Sequence, residues 1–531
     1  MRSFLLAGAL VGCGAPTPVL SAQAQADLPR LVVLLTVDQM RADYFERYAA
    51  EYSGGLRRLA TQGAIYTRGE QDHAITETAP GHATLLTGRS PGAVGVITNE
   101  LGVPDDESPL VGIPGPGASP ARFRGTALYD WMKAVDREVR VLSVSRKDRG
   151  AILPIGRARV PVYWYQSGYF TTSTWYTKEL PDWLRKWNAR HGARKFASTS
   201  WVLLKPESQY PEVDDQPWER GGNNTTFPHR FSPDSMRAAL ELAGSPYPDS
   251  LTLDVALEGA RQLKLGQRTR PDLLSISLSS TDGVGHVYGP DSREMHDNLL
   301  RLDGWLAWFM DSLATQVPAD RILWVLSSDH GVTSFPEAAR ARGRMAGRAS
   351  GDTVAYYAEQ ELVGRFSRSF GIEFNNGLLY GDTTAIRSAG LSVDSLASDL
   401  ASKLAKQTGV TRIYTPKILR AAAPDDLDAQ RWRRSVEPDF PWLAAASLAP
   451  GYIWSYHPAA TTHGTTNPDD VRVPIAFMGK GIKPGLYDRT RTATAPPPRT
   501  IDIAPTIAAL LGLKPLEPVE GIPLAEVVGR P

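Results

Sequence analysis

Three aspartates and three histidines of this 531-residue chain fall where they could share metal ions. Asp38 ends the apolar run Leu31–Val37. Asp282 follows the apolar stretch 273–279, and His286 stands four residues further on, a spacing that lets one helical turn or tight loop present both to a single cation. Asp329 and His330 follow the stretch 322–326. Neighbouring side chains at a strand end diverge, so that pair could face two ions or bracket one. His463, in Thr462-His463-Gly464-Thr465, completes six oxygen and nitrogen donors. Carboxylate with imidazole suits Zn²⁺ and similar ions. A hydroxyl is also at hand. Thr78-Ala79-Pro80-Gly81-His82 reads as a strand-to-helix elbow with Thr78 at the turn. A hydroxyl there sits at the positive end of the helix dipole beside free N–H groups, which suits a nucleophile directed at an anionic group.

Elements that could hold these residues recur along the chain. Stretches 31–37, 273–279, 322–326 and 471–478 are apolar at nearly every position, as expected of strands buried on both faces of a parallel sheet. Helical periodicity lies between them, at 251–265 and 294–314. The repeated order of apolar strand, polar cluster and helix predicts an α/β fold. Its central, mostly parallel sheet would be sandwiched by helices, with ligands at the carboxyl ends of the strands. Segments of about 160–235, rich in Trp, Tyr, Pro and Asn, and 336–460, with a helical stretch at 393–407, read as inserted cap elements over the active-site edge. A closing helix is expected over 506–513.

Composition narrows the function classes. With 58 Lys plus Arg against 57 Asp plus Glu, the chain has no basic excess, which argues against a nucleic-acid partner. No stretch is long and apolar enough for a transmembrane span. Arg2, the apolar segment 4–12 and the Ala-x-Ala sites ending at Ala24 and Ala26 read as a signal peptide over 1–26, leaving 27–531 as the catalytic domain. Alternatively, Leu10-Val11-Gly12-Cys13 resembles a lipobox, with 1–12 removed and Cys13 lipidated. Either reading predicts a periplasmic or extracellular protein. Cys13 is the single cysteine, so no disulfide is expected.

Taken together, the threonine elbow, the strand-end aspartates and the histidines resemble the bacterial alkaline phosphatases of the threonine-nucleophile type. These belong to the superfamily that also holds nucleotide pyrophosphatase/phosphodiesterases and sulfatases. The resemblance implies two Zn²⁺ per chain, one held by Asp282, His286 and His463 and the other by Asp38, Asp329 and His330 with Thr78 reaching it. It also implies a phosphothreonine intermediate on Thr78, with Asn99, in Ile97-Thr98-Asn99-Glu100, contacting a phosphoryl oxygen. Lys147 and Arg149 follow the strand-like stretch 139–144, and in an extended segment they would share a face while Asp148 points away. Within the family a Lys-x-Arg here resembles the monoesterases. Formal charge agrees: three carboxylates and an alkoxide balance two Zn²⁺, so the two cationic side chains match a monoester dianion.

The expected substrates are small phosphomonoesters, and the expected state is a monomer. The nearest alternative is a phosphodiesterase or nucleotide pyrophosphatase on the same di-zinc core. A sulfatase is disfavoured because the only cysteine lies in the leader, and a cofactor-independent phosphoglycerate mutase because it uses serine and needs no leader. A non-catalytic envelope zinc-binding lipoprotein is the distant alternative, disfavoured because structural zinc sites are usually thiolate-rich.

Overall fold

Strand β1 (Leu31–Val37) lies at the middle of the molecule, and its alternate side chains enter two different cores. Leu31, Val33, Leu35 and Val37 join one hydrophobic cluster, while Val32 and Leu34 join a second on the opposite face. A strand covered on both sides must be apolar at nearly every position, which explains the unbroken run. The computed structural model describes residues 28–455, 457–488 and 497–529. The leader reading and Cys13 lie outside the described residues.

The central sheet has nine strands. In chain order these are β1, β2 (Ala64–Glu70), β3 (Val141–Ser145), β4 (Val162–Gln166), β5 (Tyr169–Thr171), β6 (Asp272–Leu278), β7 (Ile322–Ser327), β8 (Arg472–Met478) and β9 (Gly485–Leu486). Their spatial order is β9-β2-β8-β7-β1-β6-β3-β4-β5. The run from β7 through β1, β6 and β3 to β4 is parallel throughout. β8, read from sequence as one more buried strand of a parallel sheet, is antiparallel to both β7 and β2. Apolar content reports burial and carries no direction.

Five helices matter to the site: α1 (Thr78–Leu85), α2 (Asp148–Ile152), α3 (Tyr247–Gln262), α4 (Ser280–Tyr288) and α5 (Arg293–Ala314). The closing helix spans Ile503–Leu510 and packs its Ile503, Ala504 and Ile507 into the second core.

Residues 162–171 of the first aromatic-rich segment are edge strands of the central sheet. Leu184, Trp187, Trp201, Tyr210 and Phe231 further along it belong to the first core. The second segment builds a four-stranded antiparallel sheet from Glu373–Asn375, Leu378–Tyr380, Trp442–Leu448 and Val410–Tyr414, with a cluster of its own around Leu379, Leu400 and Leu443. Among the described residues no helix is long and apolar enough to cross a membrane.

Candidate active site

Parallel register brings the acidic residues to one edge. Val37 lies level with Leu278, and Thr36 with Ser327, so β1, β6 and β7 end together. Asp38 follows β1 directly. Asp329 stands two residues beyond β7, and Asp282 lies in the first turn of α4. The start of α4 is pinned by Asp249 of α3, whose Oδ1 accepts from Ser280 N at 2.9 Å. All three aspartates are buried.

The aspartate–histidine pair after β7 does not diverge. The chain has left the strand at Ser328, and Asp329 Oδ2 and His330 Nε2 lie 3.5 Å apart, turned to the same centre. His330 Nε2 is 3.6 Å from Asp38 Oδ1. His286 Nε2 and His463 Nε2 approach Asp282 Oδ1 to 3.2 and 3.7 Å. The rings of His330 and His463 stack at 3.6 Å.

Main-chain carbonyls set the histidine tautomers. His286 Nδ1 donates to Thr461 O at 2.8 Å, His330 Nδ1 to Gly331 O at 2.9 Å and His463 Nδ1 to Thr76 O at 2.7 Å. Each bond leaves Nε2 as the lone pair facing the carboxylates, the arrangement a metal ligand requires. One oxygen agrees: Asp38 Oδ1 is buried without a hydrogen bond and faces His330 Nε2. Two sets of ligand atoms lie close enough to share an ion, Asp282 with His286 and His463, and Asp38 with Asp282 and His330. The second set differs from the one implied by resemblance in having Asp282 where Asp329 was expected. Asp329 Oδ2 sits instead 3.0 Å from His82 Nδ1. The donor set therefore fits divalent metal, with Asp282 common to both groups.

The electrostatics follow from burial and crowding. Desolvation, then the neighbouring Asp282 and Asp329, pushes the Asp38 carboxyl above the usual range. Burial would also raise Asp282, but Lys147 and His286 overcome it and hold that carboxyl well below the usual range. Burial raises and His82 lowers Asp329, with a net decrease. His330 is pushed well down, by burial first and then by His463. Burial would lower His286 too, yet Asp282 holds it up.

Thr78 is the first residue of α1, and a loop, not a strand, precedes it. Its Oγ1 lies 3.4 Å from His330 Nε2 and accepts from Lys147 Nζ at 3.1 Å. The same ammonium stands 2.7 Å from Asp38 Oδ2 and 2.6 Å from Asp282 Oδ2. Asn99 Oδ1 accepts from Ala79 N at 2.9 Å, which orients its amide against the elbow. Arg149 departs from the sequence expectation. Lys147 is extended, but Arg149 lies in the first turn of α2, so strand alternation does not relate the two. Arg149 acts electrostatically on Glu77, beside the nucleophile candidate.

Three side chains at the centre escaped the sequence reading. Gln39 takes a left-handed backbone (φ +66°) and bonds two of the carboxylates. Its N donates to Asp329 Oδ1 at 3.1 Å and its Nε2 to Asp282 Oδ1 at 3.0 Å. Glu77 receives Asn99 N at 2.7 Å and Asn376 Nδ2 from the tip of the 373–380 hairpin, tying the second segment to the elbow. Burial, then Glu100, pushes Glu77 up to about 7. His82 bonds Thr78 O at 2.9 Å from Nδ1 and meets Ser277 Oγ at 2.8 Å through Nε2. It sits inside the quoted motif, and its i, i+4 relation to Thr78 was the available clue. His82→Ala is expected to weaken metal binding by about 10–100-fold, measured by chelator competition.

Close packing of the elbow depends on Gly81. A Cβ there would stand 2.1 Å from Asp329 O. Gly81→Ala should therefore cost about 1–3 kcal/mol, read from the shift in the urea midpoint.

The profile of the family described as type I phosphodiesterase / nucleotide pyrophosphatase matches residues 32–345. Alkaline phosphatase PhoV of Synechococcus elongatus is 32% identical over 92% of this chain and 90% of its own length. Alkaline phosphatase PafA of Elizabethkingia meningoseptica is 32% identical over 94% and 95%. The crystal structure of PafA superposes with a TM-score of 0.86 at 29% identity, covering 94% of this chain and 99% of that one. Murine ectonucleotide pyrophosphatase / phosphodiesterase 5, at 12% identity and a TM-score of 0.52, shares the fold. A strand-end cluster of carboxylates and imidazoles, in a chain alike from end to end to these enzymes, makes this protein an alkaline phosphatase of the type I phosphodiesterase / nucleotide pyrophosphatase family.

Proposed function

We propose that the protein hydrolyses small phosphate monoesters through a phosphothreonine on Thr78, with two zinc ions per chain. The observation that carries this reading is the meeting of one hydroxyl, one ammonium and a carboxylate–imidazole cluster at Thr78 Oγ1. Asp282, His286 and His463 would hold one ion, and Asp38 and His330 the other, completed by Asp329, whose Oδ2 lies 3.5 Å from His330 Nε2, or by the shared Asp282. When bound, such a pair supplies Lewis-acid stabilisation of the oxygens that gain charge.

The chain's own groups do the rest. Lys147 Nζ, in contact with Thr78 Oγ1, favours the alkoxide by its charge, as does the N-terminus of α1. The oxygen of Thr78 attacks phosphorus in line, the P–O bond to the alcohol breaks, and the alcohol leaves. Water then releases phosphate from Thr78. With its Oδ1 engaged by Ala79 N, Asn99 presents Nδ2 to an equatorial phosphoryl oxygen. Lys147 and Arg149 answer the two charges of the dianion, whose placement matters most in a loose transition state. The leader-like segment 1–26 supports export, and the chain's own donors complete the site in a monomer.

Phosphodiester hydrolysis is the second reading, favoured by the family profile over residues 32–345. Parallel turnover of p-nitrophenyl phosphate and bis-p-nitrophenyl phosphate by zinc-loaded protein separates the two. A higher kcat/KM on the monoester is expected. Diester preference would move the protein to the diesterase branch.

A further inference from the structure

The second inserted segment reaches the active centre through the tip of the hairpin formed by Glu373–Asn375 and Leu378–Tyr380. Asn375 pairs with Leu378, so Asn376 and Gly377 make a two-residue turn. Both have positive φ, +40° and +92°, the backbone of the tight Asn-Gly turn that suits a hairpin. The tip is closely packed. A Cβ on Gly377 would stand 2.5 Å from Ala446 O, and one on Gly464 would stand 2.3 Å from Asn376 Cγ. Gly464 follows the metal-ligand candidate His463, so the Asn376 amide is wedged against that loop.

From there Asn376 Nδ2 donates to Glu77 Oε1. Glu77 is buried, and its Oε2 accepts from Asn99 N at 2.7 Å. The two oxygens thus each receive an N–H, as a buried carboxylate requires. Glu77 immediately precedes α1, and its carbonyl accepts from Gly81 N at 2.9 Å. Asn99 closes the circuit, since its Oδ1 accepts from Ala79 N in the first turn of α1 at 2.9 Å. Asn375 Nδ2 donates to Glu100, the chain neighbour of Asn99. Asn99 itself stands in irregular backbone, outside any helix or strand. A side chain on such a loop is placed less exactly than one on a regular element, so its position depends on supporting contacts.

We propose that Glu77, held by Asn376, is a positioning residue for Asn99, and that the second inserted segment thereby helps to set the active-site geometry. Glu77 touches no substrate. Its carboxylate fixes the backbone of Asn99, while its own backbone starts the helix that carries Thr78, so one residue sets the distance between the two. This role rests on the proposed contact of Asn99 with a phosphoryl oxygen, which monoesters and diesters both offer. Loss of the strut should therefore slow both substrates alike, unlike loss of Lys147 and Arg149.

A double-mutant cycle with the zinc-loaded full chain tests the role. Asn376→Gly removes the amide and tolerates the positive φ. Glu77→Gln keeps the shape but leaves one acceptor oxygen for two donors. Each is expected to lower kcat/KM about tenfold on p-nitrophenyl phosphate and on bis-p-nitrophenyl phosphate, with metal content unchanged. In an Asn99→Ala background either should cost less than about twofold, because nothing is left to position. Glu77→Gln combined with Asn376→Asp should recover most of the loss, since the new amide can give an N–H to the new carboxylate and its oxygen to Asn99 N. Wild-type turnover in both single variants overturns the proposal. An equal fold loss with and without Asn99 also overturns it, because the strut then acts on the fold at large. Wild-type turnover in Asn99→Ala removes the phosphoryl contact itself, and the strut with it.

Discussion

Thr78→Ala is expected to lower kcat/KM for p-nitrophenyl phosphate roughly a thousand-fold or more, the scale of losing a covalent nucleophile. The structure separates this from loss of metal. The three Nε2 lone pairs are set by carbonyls of Thr461, Gly331 and Thr76, and three aspartates supply the charge. The hydroxyl of Thr78 is thus one donor among many, and metal content by atomic emission should change little. Thr78→Ser keeps an oxygen at the start of α1 and should retain much of the activity. A burst of nitrophenol equal to the enzyme concentration under limiting hydrolysis, present in wild type and absent in Thr78→Ala, would report the covalent step directly. Equal turnover in wild type and Thr78→Ala would end the assignment.

The second large effect is expected from Lys147→Ala with Arg149→Ala. Removal of a single preorganised donor costs on the order of a hundred- to a thousand-fold at other active sites. Here monoester kcat/KM should fall roughly a thousand-fold or more, and diester kcat/KM by only about tenfold. The difference arises because a diester carries one negative charge and a monoester two. The two single variants should differ. Lys147 Nζ touches Thr78 Oγ1 and bridges Asp38 and Asp282, whereas Arg149 stands on α2 with its guanidinium 3.5 Å from Asp148. Lys147→Ala should therefore lower kcat, since it removes charge from the reacting oxygen, and Arg149→Ala should act more on KM. Metal content measured alongside shows whether loss of the Lys147 ammonium disturbs the carboxylates it bridges. A double variant that loses monoester and diester turnover equally would leave the pair without a role in substrate choice.

Much of this enzyme could be read before folding. Apolar runs ending in Asp38, Asp282 and Asp329 located three neighbouring parallel strands, because a strand buried on both faces admits no other composition. The same runs could not give direction, so β8 proved antiparallel. Residue types also carried the chemistry of the site, since carboxylate, imidazole and hydroxyl groups announce metal binding and nucleophilicity wherever the chain places them.

Orientation was another matter. Strand geometry predicted that Asp329 and His330 diverge and that Lys147 and Arg149 align. Strand alternation governs neither pair, because the backbone leaves the strand before those residues; Asp329 and His330 turn to one centre. Gln39 carries no sequence signal of its own, and His82 only its i, i+4 spacing from Thr78. They matter because tertiary packing sets a left-handed residue and a helix face against the carboxylates. Sequence by itself determined which groups this protein has to work with and which strands carry them to one edge. Only the tertiary structure decided which atoms meet, because burial, hydrogen-bond direction and distance are properties of packed elements and not of residue order.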